Sequence, residues 1–140
     1  NGAVALGAVD FPLTDPGSFF LDLALTDSAG RTLAHNRYPF TRAANLASLL
    51  SVPSTELALQ TNVVDEMWIV TVTNTGAQTA LFVWLEDSRA PTAAGYAEFS
   101  DNYFCLFPNE EKQVRISWVD VDPPHRSLDV AGWNTLTLTV

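Results

Sequence analysis

Two antiparallel β-sheets packed face to face, about seven strands in all, form the fold class that three features of this sequence predict. The dominant hydrophobic period is two, the repeat of side chains along a pleated strand. Clusters of Gly, Pro, Asn, Asp and Ser break that period at the spacing expected of a sandwich. Finally, Ser100-Asp101-Asn102-Tyr103-Phe104-Cys105 places a Tyr two residues ahead of an inward position, just before a turn and an alternating strand. Immunoglobulin-like sandwiches build a tyrosine corner in this way, the phenol packing on the core while its hydroxyl bonds to upstream backbone. The prediction is therefore an all-β, immunoglobulin-like two-sheet antiparallel sandwich, with 1–140 as one domain. Tyr103 is expected to be buried and to pin the crossover between the sheets. Cys105 is the only cysteine, so it cannot form a disulfide within the chain and reads as a small buried hydrophobe.

Taken in order, Phe19, Leu21, Leu23 and Leu25 alternate with Phe20, Asp22, Ala24 and Thr26, the pattern of a half-buried strand. Asp27-Ser28-Ala29-Gly30 supplies a turn, and 31–40 returns as its hairpin partner, with Pro39 holding it to an edge or a strand end. The Ala-rich piece with Leu46, Leu49, Leu50 and Val52 stops at Pro53 and is too short for more than a helical turn or a loop. Leu57 and Leu59 resume the alternation. Met67 to Thr73 is a strand rich in β-branched and aromatic residues, closed by Asn74-Thr75-Gly76. Ala80 to Leu85 answers it and is apolar on both faces. Phe82 and Trp84 should share one side, opposite Leu81, Val83 and Leu85, and the outward set should form an exposed apolar patch open to self-association. Residues 86–99 read as a long irregular connection. Tyr103 to Phe107 and Gln113 to Trp118 read as a hairpin about Pro108-Asn109-Glu110, with Val114, Ile116 and Trp118 inward. An acidic, Pro-rich loop follows from Asp120 to Arg126, then a last strand, Thr135 to Val140, with Leu136, Leu138 and Val140 inward.

Composition narrows the function classes. With 47% hydrophobic and 16% charged residues, the 140-residue chain can bury a core and is not of the disordered kind. No apolar run reaches the ~18–20 residues that a membrane-spanning helix needs. A net charge of −9 repels phosphate backbones and anionic lipid, which argues against nucleic-acid and membrane-surface roles. The sequence opens at Asn1 with no charged-then-apolar leader, and reads as processed or excised from something longer. One cysteine fits a reducing compartment or a secreted protein built without disulfides, so the compartment stays open.

Catalytic machinery is not evident. There is no Gly-x-Ser-x-Gly elbow, and the histidines are only His35, in a strand-like run, and His125, in a loop after two prolines. An apolar strand around Cys105 would raise its thiol pKa and blunt it as a nucleophile. Asp65-Glu66, Glu86-Asp87 and Asp120/Asp122 fall at strand ends or in loops, where solvated carboxylates guarding sheet edges are the default. Asp120-x-Asp122 lacks the Gly turn and closing Glu of a calcium loop, and zinc ligation lacks its Cys and His. No catalytic, cofactor-binding or metal residue is assigned. The aromatics offer two readings: Trp68, Trp84, Trp118 and Trp133, with Tyr38 and Tyr96, as a sugar-stacking platform, or as core and inter-domain packing.

Three blocks carry a resemblance to a family. They are Asn36-x-Tyr38 with Leu49-Leu50-Ser51-Val52-Pro53 and Leu57; Trp68-x-Val70-Thr71-Val72-Thr73-Asn74-Thr75-Gly76 with Ala80-Leu81-Phe82-Val83; and Ser100-Asp101-Asn102-Tyr103-Phe104 with Leu106-x-Pro108-x-Glu110. In this order, over roughly 18–120, they resemble the C-terminal Ig-like domain of glycoside hydrolase family 2 enzymes of the β-mannosidase and exo-β-glucosaminidase branch. Asn109 stands where that family often has Gly, and Asn tolerates a positive φ nearly as well. The resemblance implies a non-catalytic accessory sandwich that packs on the other domains of a larger enzyme, whose two catalytic Glu residues lie in a separate upstream barrel. Neither maps onto this chain, and no cofactor is implied. A carbohydrate-binding module and an adhesion or assembly domain are the alternative readings.

Overall fold

A computed structural model describes Gly7, 18–41 and 47–140. The chain divides into two compact units, Asn1–Ser51 and Val52–Val140. In the first, β1 (Ser18–Thr26) and β2 (Thr32–Thr41) form an antiparallel hairpin, followed by a short 3-10 turn at Ala47–Ser51. Asp27 builds the hairpin turn: its Oδ1 accepts from the N–H groups of Ala29 and Arg31 at 3.0 and 2.9 Å, and Gly30 takes φ +80°. That dihedral is open to glycine at little steric cost. The helical turn expected before Pro53 is the 3-10 turn, though Leu46 lies outside the described residues.

The second unit is the sandwich. One sheet has the order β3 (Leu57–Val64), β4 (Met67–Asn74), β8 (Glu111–Val119), β6 (Tyr96–Phe99). The other runs β10 (Leu138–Thr139), β9 (Leu128–Ala131), β5 (Ala80–Asp87), β7 (Phe104–Leu106). All pairings are antiparallel. Between the sheets, Val70, Val72, Val83, Leu85, Val114, Ile116, Leu128 and Val130 are at most 2% exposed. Alternate residues of strands from both sheets thus fill one apolar layer, as sandwich packing requires. The predicted class, an all-β Ig-like sandwich, is the observed one.

A fully buried asparagine joins the two sheets. At the end of β4, Asn74 Oδ1 accepts from Thr55 Oγ1 at 2.9 Å and from Gly76 N–H at 3.1 Å. Its Nδ2 donates to the carbonyls of Gln78 at 2.7 Å and of Leu106, in the opposite sheet, at 2.9 Å. Its backbone pairs with the turn before β8: Asn74 N–H donates to Glu110 O, and Asn109 N–H donates to Asn74 O. Asn109 holds φ +64°, as the Gly-for-Asn comparison anticipated. Gly76 is obligatory beside it, because a Cβ there would sit 2.8 Å from Glu56 N and closer still to Thr55 Oγ1.

Several expectations need correction. Tyr103 is 70% exposed with φ +59°, so it makes no tyrosine corner. The neighbouring Asn102 takes up the anchoring: its Oδ1 accepts from Leu85 N–H at 2.8 Å and its Nδ2 donates to Leu85 O at 2.9 Å. The β5–β7 register pairs Val83 with Phe104, so Leu85 falls opposite position 102, and a side-chain amide extends the ladder one step past its backbone end. The segments 103–107 and 113–118 are not a hairpin. β7 pairs with β5 and β8 with β4 and β6, so the 107–110 turn crosses between sheets.

Within 86–99, β5 continues to Asp87 and Tyr96–Phe99 forms a short strand on β8. β9 was not foreseen. It pairs with both β5 and β10, which leaves Leu136, expected inward, 84% exposed in the loop before β10. Strand β5 also departs from simple alternation. Its register against β7 gains one residue between Ala80 and Val83, with Phe82 at φ +48°. This bulge turns Ala80 to the same core as Val83 and Leu85. Leu81 is buried and Phe82 and Trp84 are half-buried, so the exposed apolar face expected on 80–85 is absent. Cys105 is half-buried rather than buried, and its Sγ accepts the Phe82 N–H at 3.4 Å.

Two stability outcomes follow. Asn74→Ala should lower the unfolding free energy by about 3 kcal/mol, because buried carbonyls and N–H groups lose their partners together. Asn102→Ala should cost about 1–2 kcal/mol, whereas Tyr103→Phe should change stability by less than about 0.5 kcal/mol, reversing the tyrosine-corner expectation. Urea titrations of the three variants check both; a Tyr103→Phe loss equal to that of Asn102→Ala contradicts the assignment.

Candidate functional site

A concavity at the surface of the sandwich lies between the loop after β5 and the loop after β8. It is an open depression of about 480 Å³ lined by Arg89, Ala90, Ala93, Asp120, Asp122 and His125, among others. Arg89 organises its wall. It is gripped by Asp87 through Nε to Oδ1 at 2.9 Å and Nη2 to Oδ2 at 2.6 Å, and its Nη1 donates to Ala94 O at 2.8 Å. The guanidinium also lies 5.6 Å from the Trp118 ring centroid, within cation–π range. Asp-x-Arg at a strand end allows this fork, since the Arg89 N–H also donates to Asp87 Oδ1. The hydrogen bonds from Arg89 hold the Asp87 carboxyl below the usual carboxylate range, and Asp87 pushes the Arg89 pKa further up.

Backbone geometry fixes the same wall. Gly95 has φ +75°, and a Cβ there would lie 2.7 Å from the Asp120 carbonyl carbon. The chain can pass so close only without a side chain. On the other side, Arg126 donates from Nε to Val121 O at 3.2 Å and from Nη1 to Glu66 O at 3.0 Å, tying the loop after β8 to the β3–β4 turn. Pro123–His125 is a 3-10 turn within that loop. These contacts make a rigid, mixed-charge wall without a nucleophile and base in hydrogen-bond contact, the minimum for covalent catalysis.

The other sequence candidates are dispersed. Asp65 and Glu66 sit at the β3–β4 turn with φ +49° and +67°, and Glu86 is exposed on β5. Asp120 and Asp122 both line the depression with His125. His35 lies on the hairpin, where its Nε2 meets Asp22 Oδ1; Arg37 pairs with the same carboxylate and holds it below its usual range. No group of three or more metal-ligating side chains occurs among the described residues. The five candidate aromatics of the sandwich do not share one sheet or loop. Trp68 and Trp118 contact each other edge to face, with centroids 5.5 Å apart, and pack against the core. Tyr96 is on β6 of the same sheet, Trp84 on β5 of the other, and Tyr38 on the hairpin. Trp133 is 56% exposed in the loop after β9, where its backbone N–H donates to Leu81 O.

What sequence reasoning missed is structural: the side-chain amides and the Asp87–Arg89 fork. Asn134 resembles Asn74 in its work, accepting from Leu81 N–H at 2.9 Å and donating to Pro53 O at 2.8 Å and Thr79 O at 2.9 Å. A pH test follows from Asp87. Its folded pKa lies below the unfolded value, so its stabilisation is present above the ordinary carboxylate pKa near ~3.9 and is lost as pH falls through the depressed folded value. The stability advantage of the native chain over Asp87→Asn should therefore be constant from about pH 7 to 5 and should shrink below about pH 4. Denaturant titrations at several pH values measure it; an advantage that grows on acidification contradicts the ion pair.

The comparisons with known proteins agree with this geometry. The family model for the exo-β-D-glucosaminidase Ig-fold domain matches residues 35–135. The solved exo-chitosanase CsxA of Amycolatopsis orientalis superposes with a TM-score of 0.70 at 23% identity, over 95% of this chain and 19% of its own. The complex of an Amycolatopsis orientalis CsxA variant with PNP-β-D-glucosamine gives 0.67 at 23% identity, over 99% of this chain and 19% of that one. The exo-β-D-glucosaminidase CsxA inhibited by a glucosamine-configured castanospermine and an amino-australine analogue gives 0.68 at 25% identity, with the same coverage. This chain thus spans about a fifth of the length of the solved chains it matches. A search of curated proteins found no match. Of the two enzyme types that the sequence resembles, the match falls on the exo-β-glucosaminidases, and with most of its length covered the chain belongs to the exo-β-D-glucosaminidase Ig-fold domain family.

Proposed function

We propose that this Ig-fold domain serves as a non-catalytic accessory module of an exo-β-D-glucosaminidase-type glycoside hydrolase of family 2, packing on the rest of the enzyme and stabilising it. The observation that carries the reading is the match over 35–135 together with the 19% share of the solved relatives that the chain occupies. Physical features support it. Glycoside hydrolysis needs two carboxyl groups flanking one bond, ~5–10 Å apart. Several carboxylates of the sandwich are engaged in structure: Asp87 holds Arg89, Glu110 Oε2 accepts from Phe107 N–H, and Asp101 pairs with Lys112. The well-packed core and the three amide pins suit a rigid support more than a closing cleft.

A second reading, a sugar-binding module, is favoured by one observation: Trp133 presents more than half its surface to solvent. Large exposed rings serve as stacking surfaces. Retention in an affinity gel loaded with chitosan, abolished by Trp133→Ala, would establish that reading; equal mobility with and without polymer supports the accessory role. The chain alone should release no product from aryl β-glucosaminides or β-mannosides. Removing residues 52–140 from the complete enzyme should lower its melting temperature by more than about 5 °C while its barrel keeps the catalytic carboxylates. Turnover by the isolated chain that disappears on mutating one of its own Asp or Glu residues would overturn the proposal.

A further inference from the structure

Four strands stand at the edges of the two sheets of the sandwich, and three of them are blunted. β7 and β10 have three and two residues, and β6 has four, with the charged Glu98 among them. Short or charged edges discourage pairing with another chain. β3 is the exception. All eight of its residues, Leu57–Val64, lie in unbroken register with β4, without a bulge, a proline, a glycine or a charge. The direction of its backbone groups is fixed at one end, where Thr75 N–H donates to Glu56 O. By antiparallel alternation the even-numbered residues bond β4, and Leu57, Leu59, Thr61 and Val63 turn their N–H and C=O groups away from it. Thr55, on that same outer side, is already closed by Asn134 O. Beyond it the edge has no neighbouring strand among the described residues, and Val63 and Val64 are 61 and 48% exposed.

We infer that β3 pairs antiparallel with β3 of a second copy of this chain, about a two-fold axis at Thr61. The strand's own sequence selects that occupant. Its polarity reads the same from either end: Ala58-Leu59, then Gln60-Thr61-Asn62, then Val63-Val64. With Thr61 opposite itself, Leu59 meets Val63, Ala58 meets Val64 and Gln60 meets Asn62. Every cross-strand pair is then apolar with apolar or polar with polar, the favourable combinations. A two-fold interface demands such self-complementarity. A strand from any other source would need alternation alone, not a centre of symmetry. Backbone directions agree, because Leu59, Thr61 and Val63 are the residues whose groups face outward, and in this register each meets another of that set. Leu57 and Leu59 pack on the core, so Val63 of one copy extends the apolar layer beside Leu59 of the other. The pairing ends at Ala58, short of the edge that Asn134 closes at Thr55. Charge opposes it only at the two ends, where Glu56 of one copy nears the Asp65-Glu66 turn of the other. Those three side chains are exposed, and salt screens such charges beyond ~8 Å under physiological conditions.

Sedimentation of the 140-residue chain over a range of concentrations tests the pairing, with two variants that alter only exposed positions of β3. Gln60→Glu/Asn62→Glu sets like charges across the pair and should weaken the dimer at least about tenfold. Gln60→Lys/Asn62→Glu sets opposite charges at the same places and should bring the affinity back to within about threefold of the native chain. Added salt should tighten the native dimer, by screening its acidic ends. Amide exchange on the native chain reads the register without relying on either variant. The N–H groups of Leu59, Thr61 and Val63 should exchange more slowly as concentration rises, while those of Gln60 and Asn62, bonded to β4, should not change. A chain that stays monomeric at about 1 mM overturns the inference. So does a dimer that both variants leave intact or that both dissolve. Exchange at 59, 61 and 63 that ignores concentration in the chain alone, yet slows in the complete enzyme, gives the edge to another module and also overturns it.

Discussion

The bonding of Asn74 is the constraint on which the sandwich depends. Hydrophobic packing holds two sheets together but is indifferent to how they slide, since valines and leucines pack acceptably at several offsets. A buried amide is not indifferent. Four polar partners reach the Asn74 side chain from three places, and one is the Leu106 carbonyl of the opposite sheet. Any slip leaves donors and acceptors unpaired in an apolar interior, at about 1–3 kcal/mol each. The apolar layer supplies most of the stability, and the amide supplies its registry.

The same device recurs wherever the ladder of β5 fails. At its start, Asn134 bonds the Leu81 N–H, which a neighbouring strand would otherwise take. At the bulge, the Cys105 sulfur receives the Phe82 N–H. Farther along, Asn102 meets both backbone groups of Leu85. Strand β5 is central in its sheet, yet its partner β7 has only three residues, so side chains stand in for missing backbone. This explains how a short edge strand coexists with a tightly closed core.

Much of the fold was legible because it is periodic. The β4 and β8 segments carry apolar residues at alternate positions, and Val70, Val72, Val114 and Ile116 lie in the core. The hairpin turn was legible because Asp27 and Gly30 have local roles that do not depend on tertiary context. What escaped was nonlocal. Whether 104–106 pairs with the strand after it or with β5 depends on where the 107–110 turn points, and that is set by Asn74, more than thirty positions earlier. The tyrosine-corner reading failed for the same reason: the Tyr-x-Cys spacing fits a corner, but β7 is an edge strand, and the neighbouring amide did the anchoring. The bulge in β5 escaped because apolar residues on both sides hide a slip of one. For the candidate site, the residue types were visible but their company was not. Asp87 and Arg89 are close in sequence and could be paired on paper, whereas the meeting of Asp120 and His125 with Arg89 needed the loops to fold.

Fastening a β-sandwich with asparagines has a consequence on the timescale of ageing rather than of folding. Asparagine is a thermolabile residue. Hydrolysis of the Asn74 amide to a carboxyl group would replace a donor with an oxygen facing the carbonyls of Gln78 and Leu106, turning two attractions into repulsions inside the protein. The like change at Asn102 would break its reciprocal bond with Leu85, and at Asn134 it would set an oxygen against Pro53 O and Thr79 O. Each pin is protected while the fold is closed, because a rigid, hydrogen-bonded amide cannot readily reach the geometry that releases ammonia. Brief openings are therefore when irreversible damage accumulates, and whatever keeps the sandwich shut also lengthens its chemical lifetime.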